Sequence, residues 1–337
     1  MRLLRAGAQT HEIPIDDASR VGQVRRVAAQ VAQRAGFDEE DTGRVALVAT
    51  ELATNVLKHA GRGVMQVQAI AGDGGEGVEL VAIDRGAGFD YVACLADGMS
   101  TSGTRGIGLG AVQRQAQVVD LFSDARGSVV MARFFPRGGT YRDVRYGASQ
   151  RALGGALECG DGWGIAWTGT QCSVVVVDGL GHGPLAHEAA NAATRAFAEA
   201  GHADPATTMD ALHAAMSGTR GGAVAIAAYD AAPGTMRFAG IGNISGALHS
   251  PDGSRGLASH PGIVGVQYRR AQSFDYADAA GKLLVLHSDG VNTRWSLRDY
   301  PGLAARHPAV IAAVLMRDFD RGRDDATVVV VALGGTR

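Results

Sequence analysis

Val174-Val175-Val176-Val177-Asp178-Gly179-Leu180-Gly181-His182-Gly183 is a run of four β-branched residues that delivers one carboxylate into alternating glycines. Consecutive valines suit a strand covered on both faces, and the glycines allow a turn tight enough to present a backbone carbonyl beside the Asp178 side chain. Hard cations prefer such an oxygen-only donor set. The same residues also fit a core strand leaving through a Gly-rich turn, with Asp178 as an ordinary turn residue.

Three further acidic sites separate these readings. Asp161, in Glu158-Cys159-Gly160-Asp161-Gly162-Trp163, lies 17 positions before Asp178, a spacing that a hairpin can fold back so that both carboxylates meet at one sheet end. An apolar strand over residues 282–287 ends in Ser288-Asp289-Gly290, and Arg323-Asp324-Asp325-Ala326-Thr327 precedes another at 328–333. One Asp-Gly says little, but four acidic sites that each flank an apolar strand are not easily explained as turns. Carboxylates converging without basic partners repel, and the usual relief is one or two divalent cations. Two cations bridged by one aspartate can activate a water in line with a phosphoryl group. Around these motifs the pattern predicts strands at 151–157, 221–229 and 236–240, with helices at 184–199 and 205–216. His187, His202 and His213 lie along helices at spacings that make no zinc site, and they read as surface residues.

The order Gly-Asp, Asp-Gly-x-Gly-x-Gly, Ser-Asp-Gly, Asp-Asp-x-Thr resembles the PPM family of metal-dependent Ser/Thr phosphatases, in its bacterial SpoIIE branch and particularly RsbX. Thr219-Arg220-Gly221-Gly222 and Gly242-Asn243-Ile244 add to the likeness, which covers about residues 146–334. It implies an α-β-β-α sandwich in which Asp178 bridges two Mn2+ or Mg2+ ions as the catalytic centre. The Gly179 carbonyl, Asp161, Asp289 and Asp324 then complete the site; Asp324 is preferred to Asp325 because the first aspartate of Asp-Asp-x-Thr is the family's ligand. Arg151 and Arg220 are the candidates for a phosphate-binding arginine, and His182 stands close enough to Asp178 in sequence to act as a proton donor.

The first half carries a different set. Residues 1–15 alternate weakly and suit an edge strand, where Pro14 is tolerated. A helix follows over 21–35, and a second over 38–59 stacks Glu51, Asn55 and His59 on one face. A glutamate one turn from an asparagine can place a general base beside an oxygen ligand for Mg2+, although polar residues on a helix face are more often merely solvated. A hairpin over 65–71 and 77–83 delivers Asp84-Arg85-Gly86-Ala87-Gly88, where the aspartate can accept from an adenine amino group. Gly103-Thr104-Arg105-Gly106-Ile107-Gly108-Leu109-Gly110 opens a helix running to about residue 118, whose free amides suit a polyphosphate.

In this order the three stretches resemble the N box and two glycine boxes of the GHKL-type ATPase fold. They are most similar to serine-kinase anti-sigma and switch proteins of the RsbW and RsbT kind, over about residues 10–135. The resemblance implies a mixed sheet covered by helices on one face, binding ATP with Mg2+. Glu51 becomes the general base, Asn55 the Mg2+ ligand and Asp84 the adenine contact, with Gly86 and Gly88 closing over the base. Phosphate contacts fall to Lys58, Arg105, Gly106, Gly108 and Gly110. A sensor histidine kinase would place its phospho-accepting histidine on a helix ahead of this fold, and only His11 precedes it here. The stretch from Phe89 to Ser102 is too short for the long lid of the chaperone and gyrase relatives.

With 337 residues and about 150 per domain, the chain predicts two domains: residues 1–137, a short linker at 138–145, and 146–337, an α/β (α+β) architecture throughout. A formal net charge of −2 with 20% charged residues points to neither nucleic acid nor an anionic membrane. Cys94, Cys159 and Cys172 form neither a disulfide framework nor a zinc pattern. With no leader-like start and no apolar run approaching about 18 residues, the expectation is a cytoplasmic protein. Joined, the two resemblances imply opposing activities on one circuit: an ATP-dependent serine kinase and a phosphoserine/phosphothreonine phosphatase. The implied substrate is a STAS-domain protein of the RsbS or RsbV kind, or another switch protein, in stress or sigma-factor signalling. RsbW-like pairing also admits a homodimer. The alternative is a phosphatase whose first domain senses ATP or sequesters a partner without phosphorylating it.

Overall fold

The computed structural model describes residues 4–6, 9–72, 75–89, 108–138, 141, 143–168 and 170–334. The chain forms two compact units, one of residues 9–144 with 305–317, the other of residues 1–8, 145–304 and 318–337.

The first unit is built on a five-stranded antiparallel sheet in the spatial order His11–Ile15, Gly63–Gly72, Gly75–Asp84, Gly127–Phe134, Val118–Asp124. Helix α1 (Ala18–Arg34) starts where Asp17 accepts from the Ser19 amide at 2.6 Å, and α2 (Glu39–Ala60) where Asp38 accepts from the Asp41 amide at 2.7 Å. Both are N-caps that satisfy an otherwise orphaned first-turn donor. Gly61, at φ 71°, ends α2 in the left-handed region. Val24, Ala28 and Val31 of α1 and Val45, Val48, Leu52 and Val56 of α2 share one core with Met65, Val67, Val78, Leu80 and Ala82 of the sheet. Helix α3 spans Gly108–Gln115. It stops short of the expected residue 118 because Gln117 turns back to the sheet, its side-chain amide both donating to the Phe135 carbonyl (2.7 Å) and accepting from the Phe135 amide (3.2 Å).

Because side chains alternate along a strand, the residues between the core-facing ones form a second, polar layer. Gln66, Gln68, Glu79 and Arg133 are buried. Arg133 is fully enclosed, with Nε donating to Glu79 (2.7 Å) and one terminal nitrogen donating to Asp143 (2.7 Å) and the Val144 carbonyl (3.0 Å). His307 Nδ1 accepts from the Ala309 amide, so its proton sits on Nε2 and is donated to Asp143 at 3.0 Å. Burial and the Arg133 charge hold His307 below its ordinary value, so at neutral pH this contact is a hydrogen bond and not an ion pair. Burial alone would push Asp143 up, but Arg133 and the His307 hydrogen bond outweigh it and bring the carboxyl down to about 2. A carboxyl lowered on folding contributes stability above its unfolded value of 3.8, and that contribution is lost as pH falls through about 2. Asp143→Asn should therefore cost on the order of 2 kcal/mol at neutral pH, measured by denaturant unfolding. The difference from wild type should shrink as the pH is lowered below 4.

The second unit packs two antiparallel sheets. One runs Leu4–Ala6, Asp161–Trp167, Gln171–Gly179, Gly222–Asp230, Thr235–Ile241, Phe274–Tyr276; the other runs Gly253–Gly256, Ser245–Ser250, Leu283–His287, Ala326–Ala332, Tyr146–Arg151. Helices α4 (Pro184–Ala200) and α5 (Pro205–Met216) cover the first sheet, placing Ala189, Ala193, Phe197, Met209 and Leu212 against Val175, Val177, Val224 and Ile226.

Three expectations change. The N-terminal stretch is not one edge strand: His11–Ile15 edges the first unit's sheet, whereas Leu4–Ala6 pairs with Asp161–Trp167 in the second unit, where an edge of unpaired backbone groups is available. The strand expected at 151–157 lies instead at Tyr146–Arg151, and a 3-10 turn follows at Leu153–Gly155, with Gly154 at φ 64°. Residues 305–317 group with the first unit, not the second; they include most of α6 (Pro308–Phe319), which is buried on every face from Pro308 to Arg317. Among the described residues no helix is long and apolar enough to cross a membrane.

Candidate functional site

Val174 to Val177 are each no more than 1% exposed, between the strands Asp161–Trp167 and Gly222–Asp230. The register sets Asp161 directly opposite Asp178. In the second sheet Leu283–His287 pairs with Ala326–Ala332, His287 opposite Val328, so Asp289 leaves one strand at the end where Asp324 and Asp325 enter the other. Ser288 joins the two sheets: its hydroxyl donates to Asp161 Oδ2 at 2.6 Å and accepts from the Thr327 amide at 3.0 Å.

The electrostatics follow from this convergence. Asp161 is 4% exposed, and its Oδ1 is buried without a hydrogen-bond partner. Burial, then the charge of Asp178, raises its carboxyl well above the usual range. Asp178 is pushed up to about 7 by burial and by the charges of Asp289, Asp324 and Asp325. Asp324 is raised by burial and by the charges of Asp289 and Asp325, against lowering by the Asp325 amide, from which its Oδ1 accepts at 2.9 Å, and by His182. Asp289 accepts from Asn243 Nδ2 at 2.7 Å. Among the described residues no lysine or arginine pairs with any of these four carboxylates. No three His, Cys, Asp or Glu side chains among the described residues are gathered closely enough to hold an ion as they stand. The donor set nevertheless fits divalent cations: oxygen ligands only, an orphaned buried carboxylate oxygen, and mutual repulsion that no ion pair among the described residues relieves.

Asp325 plays another part. Its Oδ1 accepts from the Leu153 amide (2.7 Å) and its Oδ2 from the Gly160 amide (2.8 Å), so it ties down the turn that carries Asp161. Asp325→Ala strands two amides, and the folded protein should lose about 2–4 kcal/mol, read as a lower thermal midpoint. Gly179 donates its amide to the Gly160 carbonyl at 3.0 Å, and a Cβ there would run into the Ala186 and Gly160 carbonyl oxygens.

Of the two arginine candidates, Arg151 is committed elsewhere. It grips Asp320 through Nε (2.6 Å) and a terminal nitrogen (2.8 Å) and donates to the Asp324 carbonyl (2.7 Å). Arg220 is exposed and stands by the glycine turn, its guanidinium 3.2 Å from where a Gly181 Cβ would lie. His182 is exposed. His187, His202 and His213 are half-buried rather than on the surface, engaged with the Cys159 carbonyl, the Ser173 hydroxyl and the Gly265 amide respectively. Reading for carboxylates overlooked the support roles of Ser288, Asn243 and Asp325. The available signal was that all three sit inside the quoted motifs.

In the first unit, Glu51 and Asn55 stand half-buried one turn apart on α2, and Lys58 is exposed on its last turn. Asp84 ends the strand Gly75–Asp84, with Oδ1 accepting from the Gly86 (2.8 Å) and Ser128 (3.2 Å) amides. This fixes the carboxylate plane and leaves Oδ2 as the other acceptor. Gly88 has φ 73°, and a Cβ would strike the Asp124 carbonyl, so that turn requires glycine. Gly108 and Gly110 lie in the first turn of α3. Arg105 and Gly106 lie outside the described residues.

Residues 14–134 match the family model described as histidine kinase-like ATPase domain, and residues 168–334 match that of stage II sporulation protein E (SpoIIE). The serine/threonine-protein kinase RsbT of Bacillus subtilis (strain 168) is 36% identical over 100 residues, 29% of this chain and 73% of that protein. A solved structure described as "The bacterial stressosome: a modular system that has been adapted to control secondary messenger signaling" is 26% identical, with a TM-score of 0.52 over 56% of this chain and 98% of its own. One of RsbX in complex with magnesium is 22% identical, with a TM-score of 0.48 over 54% of this chain and 92% of its own.

Proposed function

We infer the function from kinship: the chain belongs to the histidine kinase-like ATPases, in their RsbT-like branch, through its first domain and to the SpoIIE branch of the PPM phosphatases through its second. It therefore carries a kinase-like ATPase domain and a PP2C-type Ser/Thr phosphatase domain of the partner-switching kind. We propose that both are active and opposed. The first domain phosphorylates a serine on a STAS-domain partner, and the second removes a phosphate from that partner or its paralogue, in stress or sigma-factor signalling. The domain limits we propose are 1–137 and 146–337 for the sequence families, joined by 138–145.

The observation that carries the phosphatase reading is the convergence of Asp161, Asp178, Asp289 and Asp324 with no ion-pair partner among the described residues. These side chains and the Gly179 carbonyl would hold two Mn2+ or Mg2+ ions. Such ions, when bound, neutralise the carboxylates and polarise a phosphoester toward attack by water. Ser288 and Asn243 orient Asp161 and Asp289, and Arg220 offers a guanidinium to the phosphoryl oxygens. His182, exposed at the glycine turn and close enough to bias Asp324, would serve as proton donor to the departing serine oxygen. In the first domain Asp84 Oδ2 would accept from the adenine amino group, Asn55 would ligate Mg2+, and Glu51 would take the proton of the substrate hydroxyl. Lys58, Arg105, Gly106, Gly108 and Gly110 would face the phosphates.

The test uses radiolabelled ATP in a lysate of the source organism with wild type, Asp178→Asn and Asp178→Asn/Glu51→Ala. The expected result is a small phosphoprotein that accumulates with Asp178→Asn alone and is lost in the double variant. If nothing is labelled while wild type still hydrolyses a phosphoserine peptide with Mn2+, the kinase half of the proposal fails and the first domain acts as an ATP sensor or a sequestering module.

A further inference from the structure

Beside the carboxylate site the second unit has a cleft of about 600 Å3 lined by Asn292, Thr293, Arg294, Arg321 and Arg323. Two backbone segments build it. Val291 bridges to Asp320, the Asn292 amide donates to the Phe319 carbonyl (2.8 Å), and the Arg321 amide donates to the Gly290 carbonyl (2.9 Å). The loops that follow Asp289 and precede Asp324 are thus laced together, and their arginines emerge side by side. Turns stiffen both: Asn292 Oδ1 accepts from the Arg294 amide (3.0 Å) and Asp320 Oδ1 from the Gly322 amide (2.9 Å).

An exposed arginine is ordinarily just solvated, and usually an acid nearby offsets it. Here Asp320, on the same loop, has both carboxylate oxygens engaged by Arg151. Among the described residues none of Arg294, Arg321 and Arg323 forms an ion pair. Three guanidinium groups without an ion-pair partner among the described residues thus line one concavity, in a chain of net charge −2. Guanidinium forks match carboxylates two-pronged. The position completes the argument: Arg323 adjoins Asp324 and Asn292 lies three residues past Asp289, so a chain whose phosphoserine reaches the carboxylates can lay its flanking residues in the cleft.

We propose that Arg294, Arg321 and Arg323 form a docking cleft for an acidic segment flanking the phosphorylated residue of the protein substrate. The cleft thereby selects phosphoproteins by the charge around the phosphoserine. This rests on the phosphatase reading above, and its test is separable from it. Two short fluorescent peptides without phosphate, one rich in glutamate and one with glutamine in its place, are titrated against the full chain by anisotropy. Wild type should bind the glutamate peptide about tenfold more tightly, with the gap narrowing at high salt. Arg294→Glu/Arg321→Glu should erase the difference, and Arg294→Lys/Arg321→Lys should keep much of it. Equal binding of the two peptides by wild type, or an undiminished preference in the glutamate variant, overturns the proposal, as does ATP displacing the glutamate peptide from Glu51→Ala protein by binding the cleft itself. Phosphoserine versions of both peptides then report kcat/KM with Mn2+, where the glutamate-flanked peptide should be favoured through KM. If neither is hydrolysed while the binding preference stands, the phosphatase reading fails and the cleft remains.

Discussion

Asp178→Asn is expected to lower phosphoester hydrolysis by at least about a thousandfold and, at the same time, to raise the thermal midpoint of the metal-free protein. The two effects have one cause. Asp178 faces Asp161 across the strand pair and feels the charges of Asp289, Asp324 and Asp325, so metal-free protein holds like charges together at a largely buried place. A neutral isostere removes the central charge while keeping the shape, which should stabilise that form by about 1–3 kcal/mol. Scanning calorimetry with chelator and with Mn2+ separates the contributions. Wild type should gain a large increment from the ion, since a ligand bound only by the folded state adds its binding free energy. The asparagine variant should gain little. A lower midpoint for the variant in chelator would mean that Asp178 is already satisfied by protein donors, and the metal assignment would lose its basis.

Arg133→Leu should be the most damaging substitution in the first unit, costing about 3–5 kcal/mol. The guanidinium is wholly enclosed, and the change leaves Glu79, itself fully buried, and Asp143 without their cation. Hydrogen bonds from Gln68 to Glu79 and from His307 to Asp143 remain, but neither donor carries charge at neutral pH. The companion variant Arg133→Leu/Glu79→Leu removes the stranded charge along with its partner. It should recover part of the loss even though it deletes a further hydrogen-bonding group. Denaturant midpoints of wild type and both variants decide the matter; a loss below about 1 kcal/mol for the single change would show that water reaches the carboxylates.

Much of the carboxylate site was legible because its information is local. Each aspartate sits where an apolar strand gives way to glycine or a short polar turn, a signal carried by four or five neighbouring residues. The helices of the first unit were legible for the same reason: Asp17 and Asp38 start them, and Gly61 ends the second. What escaped depends on partners far away in sequence. Ser288 matters because it meets Asp161, 127 positions earlier. Asp325 matters because it holds Leu153 and Gly160. Its neighbour Asp324, of the same residue type, accepts instead from the Asp325 amide at 2.9 Å and feels the charge of Asp289. Residue type alone cannot separate the two.

Arg151 and Arg220 make the same point. Either could serve a phosphate as far as chemistry goes, and only the tertiary structure commits Arg151 to Asp320, 169 positions away. The amino-acid order was enough to establish two α/β domains, the strands that end in acids and the helix that pairs Glu51 with Asn55, because periodicity and turn chemistry act over a few residues. Folding decided which strand Leu4–Ala6 joins, with which unit residues 305–317 group, and which arginines are spent and which stand open. Those outcomes depend on pairing free backbone edges and buried charges across the whole chain, and no short window of sequence contains both members of such a pair.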